Sequence, residues 1–257
     1  METFYGIMIP FLGTSLGAAW VFLMRRGMGA RVGHALVGFA AGVMVAASVW
    51  SLIIPAVEES LWMGTWSFVP AATGFLAGIA FLMLLNRLIP IINKRAEEDG
   101  SRRGMGHTFM TVLAVTLHNI PEGMAVGAVY AGYLAGGGEI SAAGALALSV
   151  GIAIQNFPEG AIVSMPLHAS GKSRGRAFLG GVLSGVVEPV AAVLTLLLSS
   201  VIIPALPYLL AFAAGAMLYV VVRELIPEMY GEDCPETGTV LFAVGFTLMM
   251  ILDIVFS

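Results

Sequence analysis

HNIPEG, residues 118–123, interrupts the apolar stretch TVLAVTLHNIPEGMAVGAVY, and QNFPEG, residues 155–160, repeats it nearly letter for letter in the next apolar stretch. In a helix, residues four apart share a face, so His118 projects with Glu122 and Gln155 with Glu159. Asn119 and Asn156, one position on, turn about 100° away. Each motif therefore offers two ligand directions that share its glutamate. Pro121 and Pro158 have no amide hydrogen, which frees the carbonyls of Leu117 and Ile154 and bends each helix there. Such backbone is tolerated inside a membrane only where protein, water or ligand covers it.

The surroundings of these motifs are those of a membrane protein. The chain of 257 residues is 58% hydrophobic and 11% charged, with a mean hydropathy of +0.93. Soluble domains run at roughly 45–50% apolar and about 25% charged. Cutting at charges and at Pro/Gly clusters leaves eight apolar segments, at about 5–24, 34–56, 67–89, 108–133, 140–167, 176–201, 207–229 and 238–256. Each reaches or approaches the roughly 20 residues that span a bilayer. The expectation is an all-α membrane protein of one transmembrane domain, 1–257, with a charged cytoplasmic loop at 90–107. No Lys or Arg precedes the first span, so it reads as a helix that stays rather than a cleaved signal.

The twelve basic residues set the orientation. All lie in or near connections from an odd to an even span: Arg25, Arg26, Arg31, Arg87, Lys94, Arg95, Arg102, Arg103, Lys172, Arg174, Arg176 and Arg223. The positive-inside rule then makes those connections cytoplasmic and both termini extracytoplasmic, in a cell (inner) membrane. The opposite face carries Glu58, Glu59 and Glu139, with Asp253 near the outer end of span 8. Those acids, Glu58, Glu59 and Asp253 above all, are candidates for a cation entrance, against the plainer reading of loop solvation. Cys234 is the only cysteine, which excludes an intrachain disulfide and a Cys-rich metal site. A net charge of −4 without a basic stripe argues against nucleic acid as a partner.

The two motifs sit on successive, oppositely directed spans. FAAGVM (39–44) in span 2 and FAAGAM (212–217) in span 7 are likewise antiparallel. That pattern predicts an inverted 3+2+3 repeat, which in transporters places the substrate site near the midplane. A third polar element, SGVVEP, puts Glu188 at similar depth in span 6. Three carboxylates at mid-membrane would each cost roughly 2.5–3.5 kcal/mol if left alone. Apart from Arg223 and His118, no basic side chain is placed to compensate them. Imidazole, carboxylate and amide groups suit Zn²⁺, Cd²⁺, Mn²⁺ or Fe²⁺. One metal or a bridged pair fits the charge, with Glu122 and Glu159 as bridging candidates. Met44 reads as core packing in a chain of 15 methionines.

HNIPEG, QNFPEG and SGVVEP on successive spans resemble the ZIP family of divalent-metal transporters, and the short His-poor chain is most similar to its bacterial zinc-transporter branch. The resemblance covers essentially the whole chain. It implies uptake of zinc and related metals, Cd²⁺, Fe²⁺ and Mn²⁺ among them, into the cytoplasm through a dinuclear midplane site. One metal would use His118, Glu122, Gln155 and Glu159, with Met44 matching a thioether position. The other would use Asn119, Asn156 and Glu188 with the same two bridging glutamates. The family also implies a homodimer in the lipid bilayer, and spans 1, 4, 5 and 6 sliding against 2, 3, 7 and 8. This chain departs from many members, which carry His or Asp at the positions of Gln155 and Asn156 and a His-rich loop between spans 3 and 4. An intramembrane metal-dependent hydrolase is the rival reading, since His and Glu four apart on a helix also occur in such sites. HNIPEG is not HExxH, however, and the repeat leaves no spare base for an activated water.

Overall fold

The computed structural model describes residues 2–23, 29–98, 107–136, 140–230 and 235–256. Arg25, Arg26, Arg102, Arg103, Glu139 and Cys234 lie outside the described residues. Each apolar stretch becomes a helix because backbone N–H and C=O groups removed from water must pair within their own segment. The helices are α1 (Glu2–Leu23), α2 (Ala30–Glu58), α3 (Phe68–Glu98), α4 (His107–Ala135), α5 (Ala142–Ala169), α6 (Arg174–Leu197), α7 (Ser199–Met229) and α8 (Pro235–Phe256). Among the described residues there is no strand. By length and composition, seven of these helices are long and apolar enough to cross a membrane among the described residues: α1, α2, α3, α5, α6, α7 and α8.

Local chemistry fixes the turns. Ser141 caps the start of α5 by accepting from the Gly144 amide at 2.9 Å. Its far end closes as a Schellman motif, in which Gly171 N–H donates to the His168 carbonyl and Lys172 N–H to the Leu167 carbonyl. That turn needs the left-handed backbone of Gly171, at φ 92°. Ser173 then caps α6. The exposed Trp62 and Trp66 on the α2–α3 connection suit a membrane–water interface.

Helix α3 runs on to Glu98, where a loop from residue 90 was expected. Lys94, Arg95, Ala96, Glu97 and Glu98 are all good helix formers, and they carry the last turns past the apolar stretch. The remainder of the expected loop, 99–106, lies outside the described residues. Helices α4 and α5 both pass unbroken through their prolines. Helices α2 and α7 each contain a π-helical turn, Ser48–Ile53 and Val221–Leu225, beginning at the same distance after FAAGVM and FAAGAM.

Four intimate helix pairs form the body: α1 with α5, α2 with α8, α3 with α7, and α4 with α6. Small residues make the approach so close that main chain touches main chain. A Cβ added at Gly17 would collide with the Phe157 carbonyl, one at Gly42 with that of Phe242, and one at Gly78 with that of Phe212. Gly123 of HNIPEG lies against the Glu188 carbonyl, and Gly160 of QNFPEG against that of Thr14. The interior is otherwise Ala, Val and Leu, whereas Leu, Val and Phe side chains cover the outer faces. That distribution is the reverse of a soluble bundle and matches a lipid surround.

Adding a single methyl group tests the seams. Gly17→Ala should destabilise the detergent-solubilised protein by about 1–3 kcal/mol, as overpacking does. Gly175→Ala, where a Cβ meets nothing within 4 Å, should leave the thermal midpoint nearly unchanged. Equal shifts for the two variants would contradict the packing.

Candidate metal site

The polar residues of the two motifs are brought together, with Glu188, inside the seams just described. Asn119, Glu122, Gln155, Asn156 and Glu188 are all buried to 1% exposure or less, and Glu159 to 7%. Glu188 sits at the centre. Its Oε1 accepts from Thr14 Oγ1 at 2.7 Å and from Asn119 Nδ2 at 3.1 Å, and its Oε2 accepts from Asn156 Nδ2 at 2.8 Å. Asn119 Nδ2 also donates to the Ser184 carbonyl at 3.1 Å. Across the site, Gln155 Nε2 donates to Glu122 Oε1 at 2.7 Å. Glu159 lies within charge-interaction range of both Glu122 and Glu188.

The orientation of the three amides follows from chemistry, because an ionised carboxylate only accepts and so draws the NH₂ end of each neighbour. Their oxygen ends point the other way. Asn119 Oδ1, Asn156 Oδ1, Gln155 Oε1 and Glu122 Oε2 are buried with no hydrogen-bond partner among the described residues. Four orphaned acceptors, one of them on Glu122 itself, lie among the carboxylates of Glu122, Glu159 and Glu188. Buried polar atoms without partners are costly.

Two of the remaining sequence candidates are placed less directly. The His118 side chain lies outside the described residues, though its backbone is helical, one turn before Glu122. Met44 is buried on α2, a helix outside the hydrogen-bonded group. Among the described residues no three His, Cys, Asp or Glu side chains form a metal cluster by themselves. The convergence is one of mixed carboxylate and amide oxygens.

Of the three acids read as an entrance, the structure joins two. Glu58 and Asp253 line one cavity of about 210 Å³ with Trp50, Ser51 and Ser141, and Ser51 Oγ donates to Asp253 Oδ1 at 2.5 Å. Glu59 turns to a separate cavity beside Trp62 and Tyr208. Adjacent helical residues diverge by about 100°, which parts the two glutamates. At the opposite end of α3, Asn86 Nδ2 donates to Glu224 Oε1 at 3.3 Å, in a cavity also lined by Arg87 and Arg223. Sequence reasoning missed Thr14, Ser51, Ser184 and this second pair. The signal for Thr14 was GTSLG (13–17), a hydroxyl between two glycines at the spacing of close helix contacts.

Fold and site together define a multi-pass membrane protein with a buried, acceptor-rich centre. Residues 94–253 match the family described as ZIP zinc transporter. The chain is 36% identical to "Zinc transporter ZIP11" of Xenopus tropicalis, an alignment covering 99% of this chain and 97% of that protein. It is 37% identical to "Zinc transporter ZIPB" of Bordetella bronchiseptica, covering 95% of this chain and 77% of that protein. It is also 36% identical to "Zinc transporter GufA" of Myxococcus xanthus, covering 84% of each. The chain belongs to the ZIP family.

The hydrogen-bond pattern has a measurable consequence. Asn156→Ala removes the amide donor on Glu188 Oε2 and should cost about 1–3 kcal/mol in metal-free detergent solution. In a Glu188→Ala background the same change should cost at least about 0.5 kcal/mol less, since the partner is gone. Additive thermal shifts would show that the two side chains act independently.

Proposed function

We propose that the protein carries Zn²⁺, with Cd²⁺, Fe²⁺ and Mn²⁺ as related substrates, across a cell (inner) membrane into the cytoplasm. The observation that carries this reading is the set of orphaned acceptor oxygens of Asn119, Glu122, Gln155 and Asn156 around Glu122, Glu159 and Glu188. A divalent ion supplies the missing positive charge and accepts lone pairs from all of them. In this reading His118 adds an imidazole nitrogen and Met44 a thioether, and Glu122 and Glu159 bridge when two ions bind.

The chain is then a single domain of eight spans, with α4 as the eighth and both termini extracytoplasmic, working as a homodimer in the bilayer. The helix pairs support the inverted 3+2+3 repeat. Exchanging α1–α3 with α6–α8, in order, and α4 with α5 turns the α1–α5 pair into α6–α4 and the α2–α8 pair into α7–α3. The two π-helical turns exchange as well, and so do the pairs Ser51–Asp253 and Glu224–Asn86 that flank them. The hydrogen bonds around Glu188 and Glu122 all run among α1, α4, α5 and α6, which supports these four helices moving as one unit. Ions enter by the cavity of Glu58 and Asp253, with Glu59 outside it.

Proteoliposomes loaded with buffer and presented with ⁶⁵Zn²⁺ test the reading. Glu122→Ala and Glu159→Ala should abolish uptake while inserting normally, and wild-type flux in either variant would refute it. Metal-dependent peptide cleavage without flux would favour the hydrolase. Protons compete with the metal for the same carboxylates and imidazole, so Zn²⁺ affinity should fall between about pH 7.5 and pH 5.5. A constant affinity across that interval would count against these ligands.

A further inference from the structure

Thr14 and Glu188 occupy matching places in the two halves of the chain. Gly123 of HNIPEG packs on the Glu188 carbonyl, and Gly160 of QNFPEG packs on the Thr14 carbonyl. Where α6 presents a carboxylate to the centre, α1 presents a hydroxyl. The two side chains meet there, with Thr14 0% and Glu188 1% exposed.

The hydrogen bonds on Glu188 are unequal in a way that bears on ion binding. Oε1 accepts two, from Thr14 and Asn119, which uses both of its lone pairs. Among the described residues Oε2 accepts one, from Asn156. Bidentate coordination of a cation therefore requires Oε1 to shed a donor. The Asn119 amide is pinned, because the same nitrogen also serves the Ser184 carbonyl. The Thr14 hydroxyl has somewhere else to go: the carbonyl of Pro10, one turn back on α1, lies 3.5 Å from Oγ1. Threonine hydroxyls commonly bond that carbonyl in helices.

We propose that Thr14 is a positioning residue whose hydroxyl holds Glu188 while the site is empty and turns to the Pro10 carbonyl when an ion takes Glu188 Oε1. The exchange trades one hydrogen bond for another, so the Thr14 hydroxyl keeps a partner throughout and the bound ion is not held too tightly to leave. Return of the hydroxyl to Oε1 competes with the ion and speeds its release. Thr14 thus tunes affinity and turnover in opposite directions. The inference rests on the carrier reading above and adds to it a residue that touches no metal.

The test compares Thr14→Val, which keeps the shape without the hydroxyl, with Thr14→Ser, which keeps the hydroxyl. Thr14→Ala is a second hydroxyl-free variant that adds no bulk, should valine fail to fold. Zn²⁺ binding by titration calorimetry and ⁶⁵Zn²⁺ uptake are measured on the purified full chain. Valine and alanine should bind Zn²⁺ about tenfold more tightly, the scale of one hydrogen bond to a charged group, with KM and kcat both lowered. Serine should match wild type in all three quantities. Wild-type affinity and KM in both hydroxyl-free variants, weaker binding in them, or a serine variant that behaves like valine would each overturn the proposal. Failure of the wild type itself to bind Zn²⁺ would overturn the carrier reading instead.

Discussion

A carboxylate placed inside an apolar bundle must be met by donors, and Glu188 is met by donors from three other helices. Thr14, Asn119 and Asn156 have short side chains, so they reach it only if α1, α4 and α5 stand almost in contact with α6 and one another. The glycine and alanine seams provide that closeness. The dependence runs both ways, because an unmet charge at this depth would push the helices apart or draw in water. Packing and polarity here are one constraint seen from two sides.

The amides supply most of the donors that the buried carboxylates of this centre need. An aspartate or histidine in place of Asn156 or Gln155 would add a charge or a ring with no NH₂ to spare. A carboxamide has two ends of opposite character, so its nitrogen satisfies a glutamate while its oxygen remains an acceptor. The ZIP chain described here uses three of them, at Asn119, Gln155 and Asn156. Glu122 and Glu188 are thereby met by dipoles instead of full charges.

Much of this was legible before any coordinates. Hydropathy located the helices, because a span must be long and apolar, and the doubled NxPEG pattern located the centre, because polar residues at that depth require a reason. Asn119, Glu122, Gln155, Asn156 and Glu188 were all named from spacing or resemblance and all meet in the interior. Thr14 was not, since one hydroxyl in an apolar helix is neutral to hydropathy, and the flanking glycines of GTSLG mark close packing without naming a polar partner. Nor was the Ser184 carbonyl, because every residue carries that acceptor and only geometry selects one. The divergence of Glu58 from Glu59 and the two π-helical turns depend on backbone rotation that no residue type announces.

The seams divide the chain into two kinds of surface. Where Gly17 meets Phe157 and Gly42 meets Phe242, the main chain itself is the mating part, and no side chain of any kind can be inserted. The outward faces bear exposed Leu, Val, Ile and Phe side chains. Any apolar residue serves there equally well. The exterior can therefore be retailored to bilayers of different thickness or composition by drift, while the inner joints that hold Glu188 and its donors together stay untouched.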